Sequence, residues 1–431
     1  MKSSFNNKKI SSFRGRAICL LFACILLIGL EFLSRLVIPY QDNLEPILKI
    51  LQQDSVLFWK QKPSLNVDFQ NTQVEVNSFG LRGEDIQLNK DEGIFRVICL
   101  GGSPTFGWGV DYKDTYPYQL QELLREKYGS KKSIEVINAG NIGYSSYQGV
   151  EFLKKDVLKF SPDLITVSYV INDVDKHRFY RSNGKSDKEL FSKNKVLVVI
   201  ENFLDESNIF KLLKASIIRS KGIAAKYFSQ GEDDAYSEKR RVSLEDYRKN
   251  LNQIINIATK NNIKVIFIKM PVNLPVKQEV SDVLKLKADF CFNKAFEYAN
   301  NGKYSQSVNK LKEALKYMPY SSKAYYYLGI CSQRQKEFNK ANSYFKKAKE
   351  MELFQCGKLA KIYNKAMQEV AARRKIPLVD IVLAFNIFNK ENDEYLFLDP
   401  KGDTIHPNLI GHKIISRQVY DALVKYQLIG K

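Results

Sequence analysis

Histidine is scarce in this 431-residue chain, with only His177, His406 and His412. So few imidazoles leave little choice of a side chain that can act as a base near neutral pH. Cysteine is sparse too. Cys19, Cys24, Cys99, Cys291, Cys331 and Cys356 show no zinc-binding spacing, which argues against a structural metal. Cys19 and Cys24 fall in an apolar segment and Cys99 in an expected core strand, and the other three do not read as a disulfide framework. No motif calls for a cofactor. Acidic residues run short, 47 against 67 Lys and Arg, for a net charge of +20. That excess points to an anionic neighbour or to a lysine-rich solvated surface. Nucleic acid would explain the charge but not the amino-terminal segment, so no nucleic-acid partner is expected.

That segment is uncharged from Ala17 to Leu30 and stays apolar around Glu31 and Arg35 until Pro39. Residues 17–39 are long enough to span a bilayer of about 30 Å. Glu31 and Arg35 stand at i,i+4 and can pair on one helix face. Lys2, Lys8, Lys9, Arg14 and Arg16 precede the run, which favours a cytoplasmic amino terminus and an extracytoplasmic remainder. The expectation is a single-pass cell-membrane protein. Cleavage is disfavoured because no small-residue site follows the run. Lipidation at Cys24 is disfavoured because the run continues past it.

From residue 96 onward strand-like and helix-like runs alternate. Strands are expected over 96–100, 134–137, 164–170, 263–270 and 377–381. Helices are expected over 116–128, 147–160, 244–260, 359–374 and 409–426. Such alternation predicts an α/β fold with a parallel sheet. Residues 176–241 interrupt it as a polar stretch with apolar helical pieces at 196–203 and 209–218, either a lid or a surface excursion. Residues 288–321 and 322–355 repeat at a period of 34, with Ala295 matching Gly329, Tyr304 matching Phe338, Leu311 matching Phe345 and Ala314 matching Ala348. They resemble two tetratricopeptide units, although Ser307 and Ser332 depart from the usual residue types. Residues 286–352 hold 13 Lys and Arg against 6 Asp and Glu, a net +7. A peptide or protein partner is one reading of this insert, and a structural outgrowth that binds nothing is the other.

Four short motifs carry the chemistry. Gly101-Gly102-Ser103 follows the first strand, and its glycines permit a sharp turn that exposes the Ser103 hydroxyl. A serine needs a base to become a nucleophile. His406 sits in a loop before Pro407, three residues after Asp403. In a turn that spacing lets the carboxylate accept from Nδ1–H and leaves Nε2 free to act as base. Acyl transfer also needs oxyanion donors, and losing one costs about 10²–10³ in rate. The backbone N–H of Ser103, the N–H of Gly143 in the block 138–145 and the side-chain amide of Asn172 in Val170-Ile171-Asn172-Asp173 are the candidates. His412, after Gly411 at the start of a helix, reads as a packing or capping residue, and His177 reads as exposed.

These blocks resemble those of the GDSL/SGNH hydrolase family across residues 96–175 and 242–426. The resemblance implies a three-layer α/β/α flavodoxin-like fold and serine esterase or acylhydrolase activity. On that match Ser103, His406 and Asp403 are catalytic, and Ser103, Gly143 and Asn172 form the oxyanion hole. Residues 241–247 also look like members of the family. Two positions depart from it: Gly102 replaces the usual Asp, and Val170 the usual Gly. The expected layout is a cytoplasmic tail (1–16), a transmembrane helix (17–39), a connecting region (40–94), a hydrolase domain in two parts (95–285 and 356–431) and a tetratricopeptide-like insert (286–355). The expected substrate is an acyl ester, on a cell-surface glycan by the argument from charge and anchor. An O-acyltransferase would use the same triad, and an inactive hydrolase fold that binds through its repeats is the non-enzymatic alternative.

Overall fold

The computed structural model describes residues 46–129, 132–175, 186–189, 195–204, 240–271 and 281–429 apart from 393, 400–402 and 404, with parts of 22–35 and 207–213. Cys19, Cys24, His177, the tail 1–16 and most of the 176–241 excursion lie outside the described residues. So does much of the expected transmembrane helix, 17–39. Among the described residues no helix is long and apolar enough to cross a membrane.

The chain divides into two compact units. The smaller comprises residues 1–60 and 192–233, and the larger 61–191 and 234–431. In the smaller unit β1 (Leu51–Asp54) pairs with β2 (Phe58–Gln61), whose last residue is the first of the larger unit. Asp54 accepts from the Val56 and Leu57 N–H groups at 2.8 and 2.9 Å, closing the turn between them. The helix Lys195–Leu204 is bonded to β1 through Asn202, which donates to the Gln53 carbonyl and accepts from its N–H.

The larger unit begins with a hairpin, β3 (Leu65–Phe69) and β4 (Thr72–Val76), inside the expected connecting region. The main sheet has five parallel strands: β5 (Ile94–Gly101), β6 (Ser133–Gly140), β7 (Leu164–Ser168), β8 (Lys264–Lys269) and β9 (Leu378–Asp380). Their spatial order is β6-β5-β7-β8-β9. The chain leaves β5 first to one side and later returns to the other. This change of direction makes the carboxyl end of β5 a crevice where open α/β sheets bind ligands. Register sharpens it, because Gly101 stands level with both Gly140 and Ser168. Three loops therefore leave the sheet from one edge.

Apolar strand runs explain the burial. Phe95, Val97 and Cys99 pack with Tyr116, Leu120, Leu124, Ile415 and Val419. These come from the helices Tyr116–Tyr128 and Leu409–Lys425. Ile98 and Leu100 point the other way, the face taken by the helices Ser146–Lys155 and Leu244–Lys260, which contact β5 and β8. The α/β architecture and parallel sheet expected from alternation are present.

Differences lie at the edges of elements. The helix expected over 147–160 ends at Lys155 and gives way to a 3-10 turn, Val157–Phe160. The strand expected through Val170 ends at Ser168. The largest difference is at the insert. Its helices Asp282–Asn300, Tyr304–Tyr317 and Ser322–Arg334 lead into one helix, Phe338–Arg374, of 37 residues. No separate helix begins at 359, and the boundary expected at 356 lies inside this helix. The segment is rich in good helix formers and lacks proline, and its one glycine, Gly357, costs only about 1 kcal/mol. Tyr304 and Phe338 each open the second helix of a pair, in step with the 34-residue period. Ala295, Ala314 and Ala348 are fully buried, and a Cβ on Gly329 would lie 2.5 Å from the Phe345 ring. Small residues thus stand where these helices meet.

Candidate active site

Ser103 follows Gly102 and opens the short helix Ser103–Phe106, with Pro104 in its first turn. Gly140 allows this helix to sit on the sheet, since a Cβ there would lie 2.1 Å from the Phe106 nitrogen. The Ser103 hydroxyl lies 2.7 Å from Nε2 of His406. On the far side of the ring, Nδ1 lies 2.7 and 2.9 Å from the two Asp403 oxygens. The structure thus brings Ser103, His406 and Asp403 into one chain of hydrogen bonds across 303 residues of sequence.

The loop that carries the pair is held at both ends. Asp403 accepts from the N–H groups of Ile405 and His406 at 3.2 and 3.0 Å, a side-chain turn of the type aspartate favours. The Leu398 N–H donates to the His406 carbonyl at 3.0 Å, and Asp399 N–H to the Asp403 carbonyl at 3.0 Å. Burial works against the Asp403 charge. The hydrogen bonds and charge of His406, with the two backbone N–H groups, outweigh it and hold the carboxyl below the usual aspartate range. The carboxylate therefore stays ionised opposite His406.

Gly143 sits at φ +75°, a backbone conformation that favours glycine. Just beyond it Ser145 caps the next helix, with Gln148 closing a capping box. Asn172 lies in the short helix Ile171–Val174, and its side-chain amide donates one hydrogen to the Tyr144 carbonyl at 3.0 Å. Its second amide hydrogen remains for another acceptor. Gly102 bears on this directly, because a Cβ at Gly102 would lie 2.7 Å from the Asn172 amide nitrogen. The aspartate usual in the resembled pattern would crowd the amide here. Asp173, next in the chain, is fully buried; burial raises its carboxyl to about 7, against hydrogen bonds from Ser146.

Several contributors carry no motif. Trp108 stacks on the His406 ring at 5.2 Å and 17°, and Phe69 of the β3–β4 hairpin meets Trp108 edge-on at 4.8 Å. The chain has two tryptophans, so one five residues after Ser103 was the available signal. Asp187 and Arg241 form a buried ion pair behind the Gly143 loop. Nothing local marks Asp187, whereas Arg241 heads the segment 241–247 already noted. His412, expected to pack or cap, is fully buried, and its Nδ1 accepts from the Tyr116 N–H at 3.1 Å; Asn408 is the cap. A cavity of ≈ 20 Å³ lies beside the site, lined by Gly102, Tyr144, Tyr169, Asn172, Met270 and Ile405 among others. Among the described residues no three His, Cys, Asp or Glu side chains converge as metal ligands would. Cys99, Cys291 and Cys331 are buried free thiols, and Cys356 is buried with its sulfur 3.8 Å from the Val174 carbonyl.

No protein-family model matches the chain. An acetylxylan esterase from Xylanibacter ruminicola is 33% identical over 117 residues, which cover 26% of this chain and 23% of that protein. The chain thus spans less than a quarter of the length of the curated relative it matches. Among solved structures, an α/β hydrolase enzyme from the metagenome of Lake Arreo, Spain, aligns at TM-score 0.39 with 15% identity, covering 76% of this chain and 94% of that one. An acetylxylan esterase from Geobacillus stearothermophilus aligns at TM-score 0.37 with 14% identity, covering 76% and 94%. A lipase/acylhydrolase from Enterococcus faecalis aligns at 0.33 with 15% identity, covering 77% and 96%.

Proposed function

We propose that the chain is a serine esterase of the GDSL/SGNH type that removes small acyl groups, acetyl first among them, from a carbohydrate. The observation that carries this reading is the 2.7 Å approach of His406 Nε2 to the Ser103 hydroxyl, with Asp403 on the opposite nitrogen. His406 takes the proton as Ser103 Oγ attacks the ester carbonyl, and Asp403 holds the imidazole in the tautomer that leaves Nε2 basic. The Ser103 and Gly143 N–H groups and the second Asn172 amide hydrogen stabilise the oxyanion. His406 then returns the proton to the departing alcohol. Water, deprotonated by His406, attacks the acyl-enzyme and releases Ser103.

Two observations support a small acyl group. The neighbouring cavity of ≈ 20 Å³ has room for about one water or one methyl group. The curated relative is an acetylxylan esterase. The membrane tether at 17–39 and the extracytoplasmic site belong to the same proposal, and the basic net charge of +20 suits an anionic membrane or glycan nearby. The helical insert is proposed as a tetratricopeptide-like appendage outside the chemistry.

Labelling with a fluorophosphonate probe tests serine activation without knowledge of the substrate. Wild-type protein should label at Ser103 and hydrolyse a nitrophenyl acetate. Ser103→Ala should do neither, and His406→Ala should lose both to a similar extent, because the two act as one unit. Full activity in Ser103→Ala would remove the nucleophile assignment. A reporter active only outside the cytoplasm, fused after Lys431, tests the topology; silence there would refute it.

A further inference from the structure

Asp187, inside the excursion, and Arg241, at its end, flank the stretch that supplies residues 192–233 to the smaller unit. Their side chains are 0% and 1% exposed. Arg241 Nη2 donates to Asp187 Oδ2 at 2.9 Å, Arg241 Nε to the same oxygen at 3.2 Å, and the Asp187 N–H to the Arg241 carbonyl at 2.8 Å. The base of the excursion is therefore closed by side chain and backbone together. A buried ion pair is weak evidence for stability, since an apolar pair of similar volume often serves as well. What else these groups hold is more telling.

Both residues also bond to the oxyanion loop and to the helix that follows it. Arg241 Nη1 donates to the Gly143 carbonyl at 2.6 Å, and Nη2 to the Gln148 side-chain oxygen at 2.6 Å. The Ser145 hydroxyl donates to Asp187 Oδ2 at 2.6 Å, and the Ser145 N–H to the same Gln148 oxygen at 3.2 Å. Gly143 stands at φ +75°, and a glycine has the freedom to leave that conformation. Turning the Gly143–Tyr144 peptide would strip the buried guanidinium of a charge-assisted hydrogen bond. The next carbonyl along the loop, that of Tyr144, is the one that orients Asn172. One planar fork thus fixes the loop that offers one proposed oxyanion donor and aims the other.

We propose that Arg241 and Asp187 are positioning residues for ester hydrolysis, locking the Gly143 loop in its donor orientation from the closed base of the excursion. The proposal rests on the reading of Ser103, Gly143 and Asn172 given above. Neither residue touches the reacting atoms, so the effect falls on turnover and not on proton transfer through His406.

The test uses full-length Arg241→Lys and Asp187→Asn. Lysine keeps the charge but cannot reach Gly143, Gln148 and Asp187 in a fixed fork. Reactive sites are counted by fluorophosphonate labelling taken to completion, and kcat on a nitrophenyl acetate is expressed per labelled site. Turnover per site should fall by about 10- to 100-fold, as a misaligned oxyanion donor implies. KM should stay within about threefold and the pH midpoint of kcat/KM should not move, because the Ser103–His406–Asp403 chain is intact. A merely structural role would reduce the number of labelled sites and leave turnover per site unchanged, and that result overturns the proposal. Asp187→Asn carries the test if Arg241→Lys fails to accumulate. If wild-type protein neither labels nor turns over, the reading of Ser103 fails and the clamp falls with it. Active wild type beside two variants of normal turnover per site refutes the clamp alone.

Discussion

Replacing Gly102 by alanine should slow the proposed ester hydrolysis without unfolding the protein. The new Cβ would lie 2.7 Å from the Asn172 amide nitrogen, against 3.4–4 Å for an ordinary contact. The amide must therefore retreat by roughly 0.7 Å or more to restore normal contact. Its bond to the Tyr144 carbonyl, now 3.0 Å, would stretch to the limit of a useful hydrogen bond. Losing an oxyanion donor outright costs about 10²–10³ in kcat. A displaced donor should cost less, about 10- to 100-fold, or about 1.4–2.7 kcal/mol in the barrier. The backbone accepts the change, because Gly102 has φ −86°, so the melting temperature should hold. The assay is steady-state hydrolysis of a nitrophenyl acetate by Gly102→Ala, Asn172→Ala and the double variant. In the Asn172→Ala background the added methyl has no amide to push, so its cost should shrink to about threefold or less. An equal cost in both backgrounds, or full activity in Gly102→Ala, would refute the steric link between the two residues.

Three further outcomes are expected. Trp108→Ala should lower kcat about tenfold by freeing the His406 ring, with complete fluorophosphonate labelling retained but slowed; an unchanged kcat would reduce the stack to packing. His412, which burial pushes down to about 3, must stay neutral to accept from Tyr116. Its unfolded form takes up a proton below pH about 6.5, so stability is full above that pH and is lost by up to about 1.4 kcal/mol per unit as pH falls toward 3. Denaturant titrations at several pH values should therefore show a shallower acid limb for His412→Gln, whereas parallel limbs would exclude the coupling; Asp173, present in both proteins, cancels in the comparison. Replacing residues 288–352 by a short Gly/Ser linker should preserve probe labelling and lower the melting temperature, and loss of labelling with retained circular dichroism would make the insert part of the site.

What could be read from sequence follows from where local chemistry decides. The helices over 116–128 and 244–260 have the expected bounds, because Pro117 and the Ser243 cap fix where they start. The strand at 164–170 was expected too long: its apolar run continues through Tyr169 and Val170, but Val170 turns out of the sheet at φ −156° and ψ −60° to begin the helix that carries Asn172. Asp403 and His406 were legible because three residues suffice to build their turn. Trp108 and Phe69 were not, since only the tertiary fold stacks Trp108 on His406 and brings Phe69 of the hairpin against Trp108. Asp187 was hidden for the same reason, its partner lying 54 residues away.

The unbroken helix Phe338–Arg374 makes the insert a signpost bolted to the α/β sheet unit. At 1.5 Å per residue it is a rod about 55 Å long. At its rooted end Tyr363 donates to the Val242 carbonyl at 2.7 Å, and Asn364 to the carbonyl of Met270, a residue of the cavity wall, at 3.0 Å. With no joint along it, the bearing of the insert is set by helical phase. One residue added within the rod would swing the insert by about 100°, and seven would return it almost to its heading some 10 Å farther out. Whatever the insert holds is therefore offered from a single compass direction, and the length of this helix is the dial that sets it.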